Sequence, residues 1–216
     1  MSVAGTLRIS EIFYSVQGET SRIGLPTVFI RLTGCPLRCG YCDSAYAFTG
    51  GETLGFDDIL QRVAAFGAQY VTVTGGEPLA QKECLALLTR LCDAGYAVSL
   101  ETSGALPIEA VDPRVARVVD VKTPGSGELA RMRWENLQDL RPSDELKVVL
   151  VDEADYRWAR DRLQTERWFA RCPVVFSPVW ETLPPKDLAE WVLRDRLPVR
   201  VQVQLHKVLW GEGPGR

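Results

Sequence analysis

The sequence predicts an α/β fold, a single domain in which a mostly parallel sheet forms an incomplete (β/α) barrel. Short runs rich in β-branched and aromatic residues alternate with segments of helical periodicity, which is the pattern of right-handed βαβ units. The chain has 216 residues, whereas a full eightfold barrel typically needs about 250. We therefore expect an incomplete barrel over residues 1–216, with only residues 211–216 as a loose C-terminal tail.

The individual elements follow from the two periodicities. β-branched and aromatic runs predict strands at residues 7–14, 27–32, 70–74, 97–101, 115–121, 146–151, 174–176 and 199–205. Apolar residues spaced three or four apart predict helices at residues 56–66, 83–93, 153–163 and 186–194. Gly67 and Gly95 follow the first two helices, where glycine commonly ends a helix.

Composition and charge exclude several classes of protein. The chain has 25 Lys and Arg against 28 Asp and Glu, a net charge of −3, so it lacks the basic field that binds nucleic acid. No apolar run approaches the ~20 residues of a membrane span, and the first residues lack a signal-peptide core. We expect a cytoplasmic protein with no nucleic-acid or membrane partner, whose six cysteines form no structural disulfides.

Three of the cysteines form a compact cluster directly after a predicted strand. Cys35, Cys39 and Cys42 have the spacing C-x3-C-x2-C. Zinc would recruit a fourth protein ligand, and an electron-transfer [4Fe–4S] cluster normally takes four cysteines. The only histidine, His206, is far away in the sequence. Three thiolates leave one iron open, as a catalytic cluster requires; a zinc knuckle or a chance grouping of buried cysteines is the alternative.

With Tyr41 just before its last cysteine, the cluster resembles the signature of the radical S-adenosylmethionine superfamily. The resemblance implies that Cys35, Cys39 and Cys42 bind a [4Fe–4S] cluster whose open iron is chelated by S-adenosylmethionine. Cleavage of that cofactor gives a 5′-deoxyadenosyl radical, so no side chain is a catalytic residue in the usual sense. Residues 75–78 read Gly-Gly-Glu-Pro after a strand and resemble the superfamily motif that holds the methionine amino group.

Six segments resemble one family within that superfamily, the 7-carboxy-7-deazaguanine synthases. In order along the chain they are EIFYSVQGE, FIRLTGCPLRCGYCD, TGGEP, ETSG, DVKTPGSGE and QLHK. The resemblance implies a modified, incomplete radical-enzyme barrel in a homodimer, with an electron donor such as a flavodoxin. The implied reaction converts 6-carboxy-5,6,7,8-tetrahydropterin to 7-carboxy-7-deazaguanine and releases ammonia, in 7-deazapurine and queuosine biosynthesis. It uses S-adenosylmethionine catalytically and needs Mg²⁺.

Two residues of these segments, Arg31 and Gln17, also have side chains whose chemistry suits substrate binding. Arg31 lies in an otherwise apolar strand, where its charge is costly unless an anion pairs with it. That anion is either the substrate carboxylate or a structural partner, Glu11 or Glu19. Gln17 carries both a donor and an acceptor, which suits the pyrimidine edge of a pterin.

The resemblance assigns the remaining site residues. It implies that the substrate contacts Val16, Gln17, Gly18, Glu19, Arg31, Thr74 and His206. It implies S-adenosylmethionine contacts at Tyr41, Cys42, Asp43, Gly76, Glu77, Ser103, Asp120, Val121, Lys122, Ser177, Pro178, Val179 and Trp180. Ser44 stands where the family commonly has a threonine that binds Mg²⁺, and it keeps the hydroxyl oxygen that a hard cation prefers.

Other interpretations remain open at this point. For His206, a buried, hydrogen-bonded structural role is the alternative to a substrate contact. An activating enzyme for a glycyl-radical enzyme would share the cysteine signature and the small size. A nonenzymatic iron–sulfur or zinc module would need neither an open iron nor S-adenosylmethionine. Cys84, Cys92 and Cys172 are predicted to be core residues, because cysteine on an apolar helix face behaves as a small hydrophobe.

Overall fold

The chain folds into alternating strands and helices, and the computed structural model describes residues 5–215. The strands are β1 (Thr6–Val16), β2 (Pro26–Leu32), β3 (Glu52–Gly55), β4 (Tyr70–Gly75), β5 (Ala97–Thr102), β6 (Ala116–Val121), β7 (Glu145–Leu150), β8 (Val174–Pro178) and β9 (Arg200–Val201). The helices are α1 (Phe56–Ala64), α2 (Cys84–Asp93), α3 (Glu153–Glu166), α4 (Pro185–Asp195) and α5 (Leu205–Trp210). None of these helices is long and apolar enough to cross a membrane.

All of these strands belong to one open sheet. Its order is β3-β1-β2-β4-β5-β6-β7-β8-β9. Neighbouring strands from β2 to β9 are parallel, whereas β1 is antiparallel to both β2 and β3. Within residues 5–215 the edge strands β3 and β9 do not pair, so the sheet stays unclosed. The α/β fold with an incomplete barrel is therefore confirmed.

The two faces of the sheet differ in polarity. On β4, Val71 and Val73 are fully buried in the hydrophobic core, while Thr72 and Thr74 alternate with them and face the other side. The apolar face packs against the helices through fully buried side chains, among them Ile59, Leu88, Tyr156 and Leu188. Each such side chain contributes roughly 1.5–3 kcal/mol. The outer layer thus holds the fold together and leaves the inner face free to carry polar groups.

Two short elements at the sheet edges depart from the sequence-based predictions. No strand is predicted at β3 (Glu52–Gly55), which has four residues and only one buried apolar side chain, Leu54. The prediction of a strand over 199–205 is confirmed only for Arg200–Val201. It is wrong for the residues that follow, and Leu205 begins helix α5 instead. The backbone N–H of Leu205 donates to the carbonyl oxygen of Gly18, 2.9 Å away, and this long-range contact draws the chain out of the sheet.

The connection from β1 to β2, residues 17–25, lies across the amino ends of the parallel strands. Arg22 Nη1 donates to the carbonyl of Ala97 at the start of β5, 2.9 Å away. Ser21 N donates to the carboxylate of Glu145 at the start of β7, over 3.1 Å. Residues 17–25 therefore span the sheet beneath the barrel, and we call them the floor segment.

Candidate active site

A cavity of about 620 Å³ lies inside the barrel. Its walls come from the carboxyl ends of the strands, the cysteine loop, the floor segment and α5. Most of the residues that the sequence assigns to the site line it: Val16, Gln17, Gly18, Glu19, Arg31, Cys35, Cys39, Tyr41, Cys42, Asp43, Ser44, Thr74, Gly76, Ser103, Asp120, Lys122, Val179, Trp180 and His206. The cavity therefore brings the predicted cluster ligands and the predicted substrate residues together.

The three cysteines of the predicted cluster are free and half-buried. The loop is held by its own backbone, since Cys42 N donates to the carbonyl of Cys39 over 3.2 Å. The backbone N–H of Leu37 donates to Cys35 Sγ, 3.4 Å away. Burial raises the pKa of the Cys35 and Cys39 thiols, so these groups need a bound metal centre to be held as thiolates at neutral pH.

Gly76 lets the cysteine loop pack directly on the end of β4. A Cβ atom at Gly76 would overlap the carbonyl oxygen of Gly34 and lie 2.8 Å from Cys35 Cβ. The next residue, Glu77, donates its backbone N–H to the same Gly34 carbonyl over 2.7 Å. The glycine is therefore required by the cluster loop itself, and a side chain there would displace Cys35.

Glu77 is fully buried, and its carboxylate lies behind the cavity wall. It accepts hydrogen bonds from Thr102 Oγ1 at 2.9 Å, Ser103 N at 2.7 Å and Leu79 N at 3.0 Å. The Ser103 hydroxyl also donates to it. In this structure the carboxylate fixes Ser103, which does line the cavity.

Gln17 is buried, and its side-chain amide is engaged by the protein. Nε2 donates to Thr72 Oγ1 and to Glu101 Oε1, each 3.2 Å away. Oε1 accepts from the backbone N–H of Glu19, also over 3.2 Å. Thr74 Oγ1 donates to the other oxygen of Glu101 over 2.9 Å. The amide is thus held within the floor of the cavity.

Arg31 forms one of the ion pairs that its sequence context left open, and it also lines the cavity. The antiparallel register places Glu11 opposite it, and Arg31 Nε donates to Glu11 Oε1 over 2.7 Å. The Tyr46 hydroxyl donates to the same oxygen, 2.7 Å away. Burial alone would lower the pKa of Arg31, but Tyr46 and Glu11 outweigh it and raise the pKa. The structural ion pair therefore exists, and the charged guanidinium also lines the cavity.

Helix α5 closes the cavity from the C-terminal side. Lys207 Nζ lies 3.0 Å from Asp43 Oδ2 and 3.3 Å from Glu212 Oε1. Burial would raise the pKa of Asp43, but Lys207 outweighs it and lowers the pKa to about 2. A Cβ atom at Gly18 would overlap the ring of His206, so glycine there allows helix and floor segment to touch. The predicted loose tail thus contributes Glu212 to the cavity lining.

Comparison with known proteins identifies the family. Residues 29–118 match the Radical SAM superfamily. The chain is 48% identical to the 7-carboxy-7-deazaguanine synthase of Chlorobaculum tepidum over 97% of both chains. It is 42% identical to that of Koribacter versatilis, over 94% of this chain and 97% of the relative. The chain belongs to the 7-carboxy-7-deazaguanine synthase family. It is accordingly a radical S-adenosylmethionine enzyme of the lyase type.

A solved structure shows the same fold. The crystal structure of QueE from Escherichia coli superimposes with a TM-score of 0.76 at 23% identity, over 93% of this chain and 95% of that chain. SuiB from Streptococcus suis bound to its precursor peptide superimposes with a TM-score of 0.60 at 12% identity, over 82% of this chain and 48% of that one. Membership of the 7-carboxy-7-deazaguanine synthase family decides against the activating-enzyme and metal-module interpretations.

Four residues that the sequence assigns to S-adenosylmethionine lie outside the cavity lining. These are Glu77, Val121, Ser177 and Pro178. Val121 is fully buried in the hydrophobic core, and Ser177 is 3% exposed on β8. Pro178 lines a smaller apolar groove that shares Trp180 with the main cavity. Their contacts with the cofactor stay predictions of the family resemblance.

Four charged residues that line the cavity are missing from the site predicted from the sequence. They are Glu101 on β5, Lys147 on β7, Lys207 on α5 and Glu212 just after α5. Burial raises the pKa of Glu101, and nearby Glu19 raises it further. Lys147 lies between the buried residues Leu146 and Val148, so the signal that marks Arg31 marks it too.

The cavity also carries buried polar atoms without partners. Among the described side chains, the hydroxyl of Tyr41, Oδ1 of Asp120 and Oε1 of Glu19 are buried, line the cavity and accept or donate no hydrogen bond. Buried polar groups in proteins are nearly always satisfied, so these three atoms fit a site that is completed by its ligands. In residues 5–215 no three His, Cys, Asp or Glu side chains are close enough to share one metal ion.

Proposed function

We propose that this protein converts 6-carboxy-5,6,7,8-tetrahydropterin to 7-carboxy-7-deazaguanine with release of ammonia, in 7-deazapurine and queuosine biosynthesis. The observation that carries the proposal is the shared cavity, in which the three cysteines face the floor segment and Arg31. Two relatives that match 97% and 94% of this chain, at 48% and 42% identity, carry the name of this activity. A substrate bound against Arg31 would lie within the same enclosed space as the predicted cofactor residues.

The residues at the cluster end of the cavity fit the two cofactors that the Radical SAM family implies. Cys35, Cys39 and Cys42 would hold the [4Fe–4S] cluster, and the unpartnered oxygens of Tyr41 and Asp120 are available to S-adenosylmethionine. When bound, these groups supply a radical that abstracts a hydrogen atom from the substrate and later returns it. The protein contributes a cavity that holds the reactants together and limits access of solvent.

Arg31 is placed to orient the substrate carboxylate. Its Nε is occupied by Glu11, while Nη1 and Nη2 make no hydrogen bond within residues 5–215. Two parallel N–H groups match the two oxygens of a carboxylate. Glu11 therefore holds the guanidinium plane in position rather than competing for the substrate, which reconciles the two interpretations of this arginine.

We further propose that Mg²⁺ binds at Ser44 together with the substrate carboxylate. Ser44 Oγ lines the cavity and lies 3.3 Å from Asp43 Oδ1, and oxygen donors suit this cation. A homodimer in the cytoplasm, reduced by a flavodoxin-like electron donor, completes the proposal. These last points are supported by the family resemblance alone.

The test is an anaerobic assay of the reconstituted protein. It contains the pterin, Mg²⁺, dithionite and S-adenosylmethionine, with products identified by mass spectrometry. We expect 7-carboxy-7-deazaguanine without stoichiometric loss of S-adenosylmethionine, and slower turnover when Mg²⁺ is left out. Formation of 5′-deoxyadenosine alone would leave the radical chemistry standing and refute the substrate.

A variant pair tests the role of Arg31 in the same assay. Arg31→Ala is expected to raise the KM for the pterin at least tenfold, because the bidentate contact with its carboxylate is lost. Arg131→Ala is the matched control, since that arginine is exposed and lies outside the cavity lining. Equal KM values for the two variants would contradict the assignment.

A further inference from the structure

Lys147 forms a buried ion pair with the floor segment. Its Nζ lies 2.5 Å from Glu19 Oε2, and the two side chains are 14% and 10% exposed. The partners are 128 positions apart in the sequence. Burying two charges is expensive, and breaking such a pair by removing one partner is strongly destabilising. A pair of this kind in a cavity wall therefore calls for an explanation beyond stability.

Three carboxylates share the cavity lining with this ammonium group. Glu19 contacts it directly, and Glu101 from β5 and Asp120 from β6 act on it electrostatically. Although burial disfavours the charge, these acids raise the pKa of Lys147, so it is cationic throughout the physiological range. The contact with this cation thus fixes the position of the Glu19 carboxylate in the cavity wall.

The pairing occupies only one oxygen of Glu19. Oε2 bonds Lys147, whereas Oε1 is buried and has no hydrogen-bond partner among the described residues. An unpaired buried carboxylate oxygen is costly, which indicates that a ligand supplies the donor. Gln17, the nearest alternative for recognising the substrate, has both ends of its amide engaged by the protein.

A pterin carries suitable donors. Its aminopyrimidinone edge presents an N–H and an amino group side by side, and a carboxylate is the acceptor that matches such donors. We propose that Lys147 is a positioning residue for this substrate: it binds Oε2 of Glu19 and orients the carboxylate, so that Oε1 accepts a hydrogen bond from the aminopyrimidinone edge. This inference rests on the proposed function, and water is the competing occupant of Oε1.

The test is a double-mutant cycle on the cluster-loaded protein with S-adenosylmethionine present. Lys147→Met, Glu19→Gln and the double variant are compared with the wild type by anaerobic calorimetry, titrating 6-carboxytetrahydropterin. We expect each single variant to bind at least tenfold more weakly, and the double variant to be within twofold of Glu19→Gln, because Lys147 acts through Glu19. Lys186→Met, a change at an exposed lysine of α4, is the control and should bind as the wild type does.

Two further readouts separate recognition from folding. Formation of 5′-deoxyadenosine without the pterin is measured in every variant, and the control Lys186→Met should stay within twofold of the wild type. The lumazine analogue, which has an oxo group in place of the 2-amino group, should bind much more weakly than the pterin to the wild type. Lys147→Met and Glu19→Gln should both reduce that preference.

Several outcomes would overturn the assignment. They are binding by Lys147→Met within twofold of the wild type, additive losses in the double variant, and an unchanged preference over lumazine. If Lys147→Met loses both pterin binding and the formation of 5′-deoxyadenosine without pterin, Lys147 maintains the structure of the barrel and does not position the substrate. If the wild type itself fails to bind the pterin, both the proposed function and this inference fall, whereas normal wild-type binding confines a failure to Lys147.

Discussion

Replacing Glu77 by glutamine is expected to destabilise the protein before any cofactor binds. The carboxylate accepts hydrogen bonds from Thr102, Ser103 and Leu79 and is fully buried. A glutamine keeps one acceptor oxygen. With that oxygen in the position of Oε2, Thr102 and Ser103 keep an acceptor, but the backbone N–H of Leu79 faces the amino group and is unpaired. One unpaired donor costs about 1–3 kcal/mol, and at about 2–4 °C per kcal/mol for a chain of this size Tm should fall by about 2–12 °C.

The assay is thermal unfolding of cluster-free protein in the absence of S-adenosylmethionine. Glu83→Gln is the matched control, because Glu83 is exposed at the start of α2 and makes no capping hydrogen bond. Its effect should stay within about 0.5 kcal/mol. If Glu77→Gln melts within 2 °C (about 0.5–1 kcal/mol) of the wild type yet fails to bind S-adenosylmethionine, Glu77 acts on the cofactor directly. Its interpretation as the anchor of Ser103 would then be refuted.

Stability and cofactor loading give further expectations. Asp144→Asn should cost roughly 3–5 kcal/mol in urea unfolding, because Asp144 accepts from the backbone N, Nε and Nη2 of buried Arg117. Burial would raise the pKa of Asp144, but these hydrogen bonds outweigh it and lower the pKa. The contribution of Asp144 to the free energy of unfolding is therefore full above about pH 4 and is lost at lower pH. There the stabilities of the variant and the wild type should converge. Gly76→Ala should at least halve the iron bound on reconstitution, since its Cβ would overlap the Gly34 carbonyl. Gly55→Ala should load normally, because its Cβ would make only an ordinary contact with Asp58 Oδ2, 3.6 Å away.

The sequence predicts the central strands well because they are buried by local composition. β4 and β8 consist largely of buried residues, so each forms a run of β-branched and aromatic residues that identifies the strand. The edges of the sheet lack that signal. β3 is only four residues long with a single buried side chain, Leu54, and it pairs with β1 alone. The start of α5 is held by the hydrogen bond from Leu205 N to the Gly18 carbonyl. Both elements are set by tertiary contacts that no local pattern encodes.

The residues of the site differ in the same way: some are predictable from local sequence, and others are brought in by tertiary contacts. Cys35, Cys39 and Cys42 share one loop, so their spacing alone predicts that they meet. Lys147 contacts Glu19 of the floor segment across 128 residues of sequence. Glu101 contacts Gln17 of the same segment across 84 residues. For Arg31 the sequence offers two structural partners, and the antiparallel register of β1 and β2 selects Glu11. Local motifs therefore predict the cluster end, and topology determines the substrate end.

The floor segment explains how an open barrel can enclose a polar substrate. Arg22 anchors it to the amino end of β5, and Gln202 accepts the backbone N–H of Thr20 over 2.6 Å beside β9. The segment that lies across the amino ends of the strands is thus the same one that presents Gln17 and Glu19 to the cavity. The apolar contacts that stabilise the fold lie on the outer face of the sheet. The charged residues on the inner face are therefore not needed for the hydrophobic core and are available to bind the substrate. A loosened anchor should therefore weaken substrate binding before it unfolds the protein.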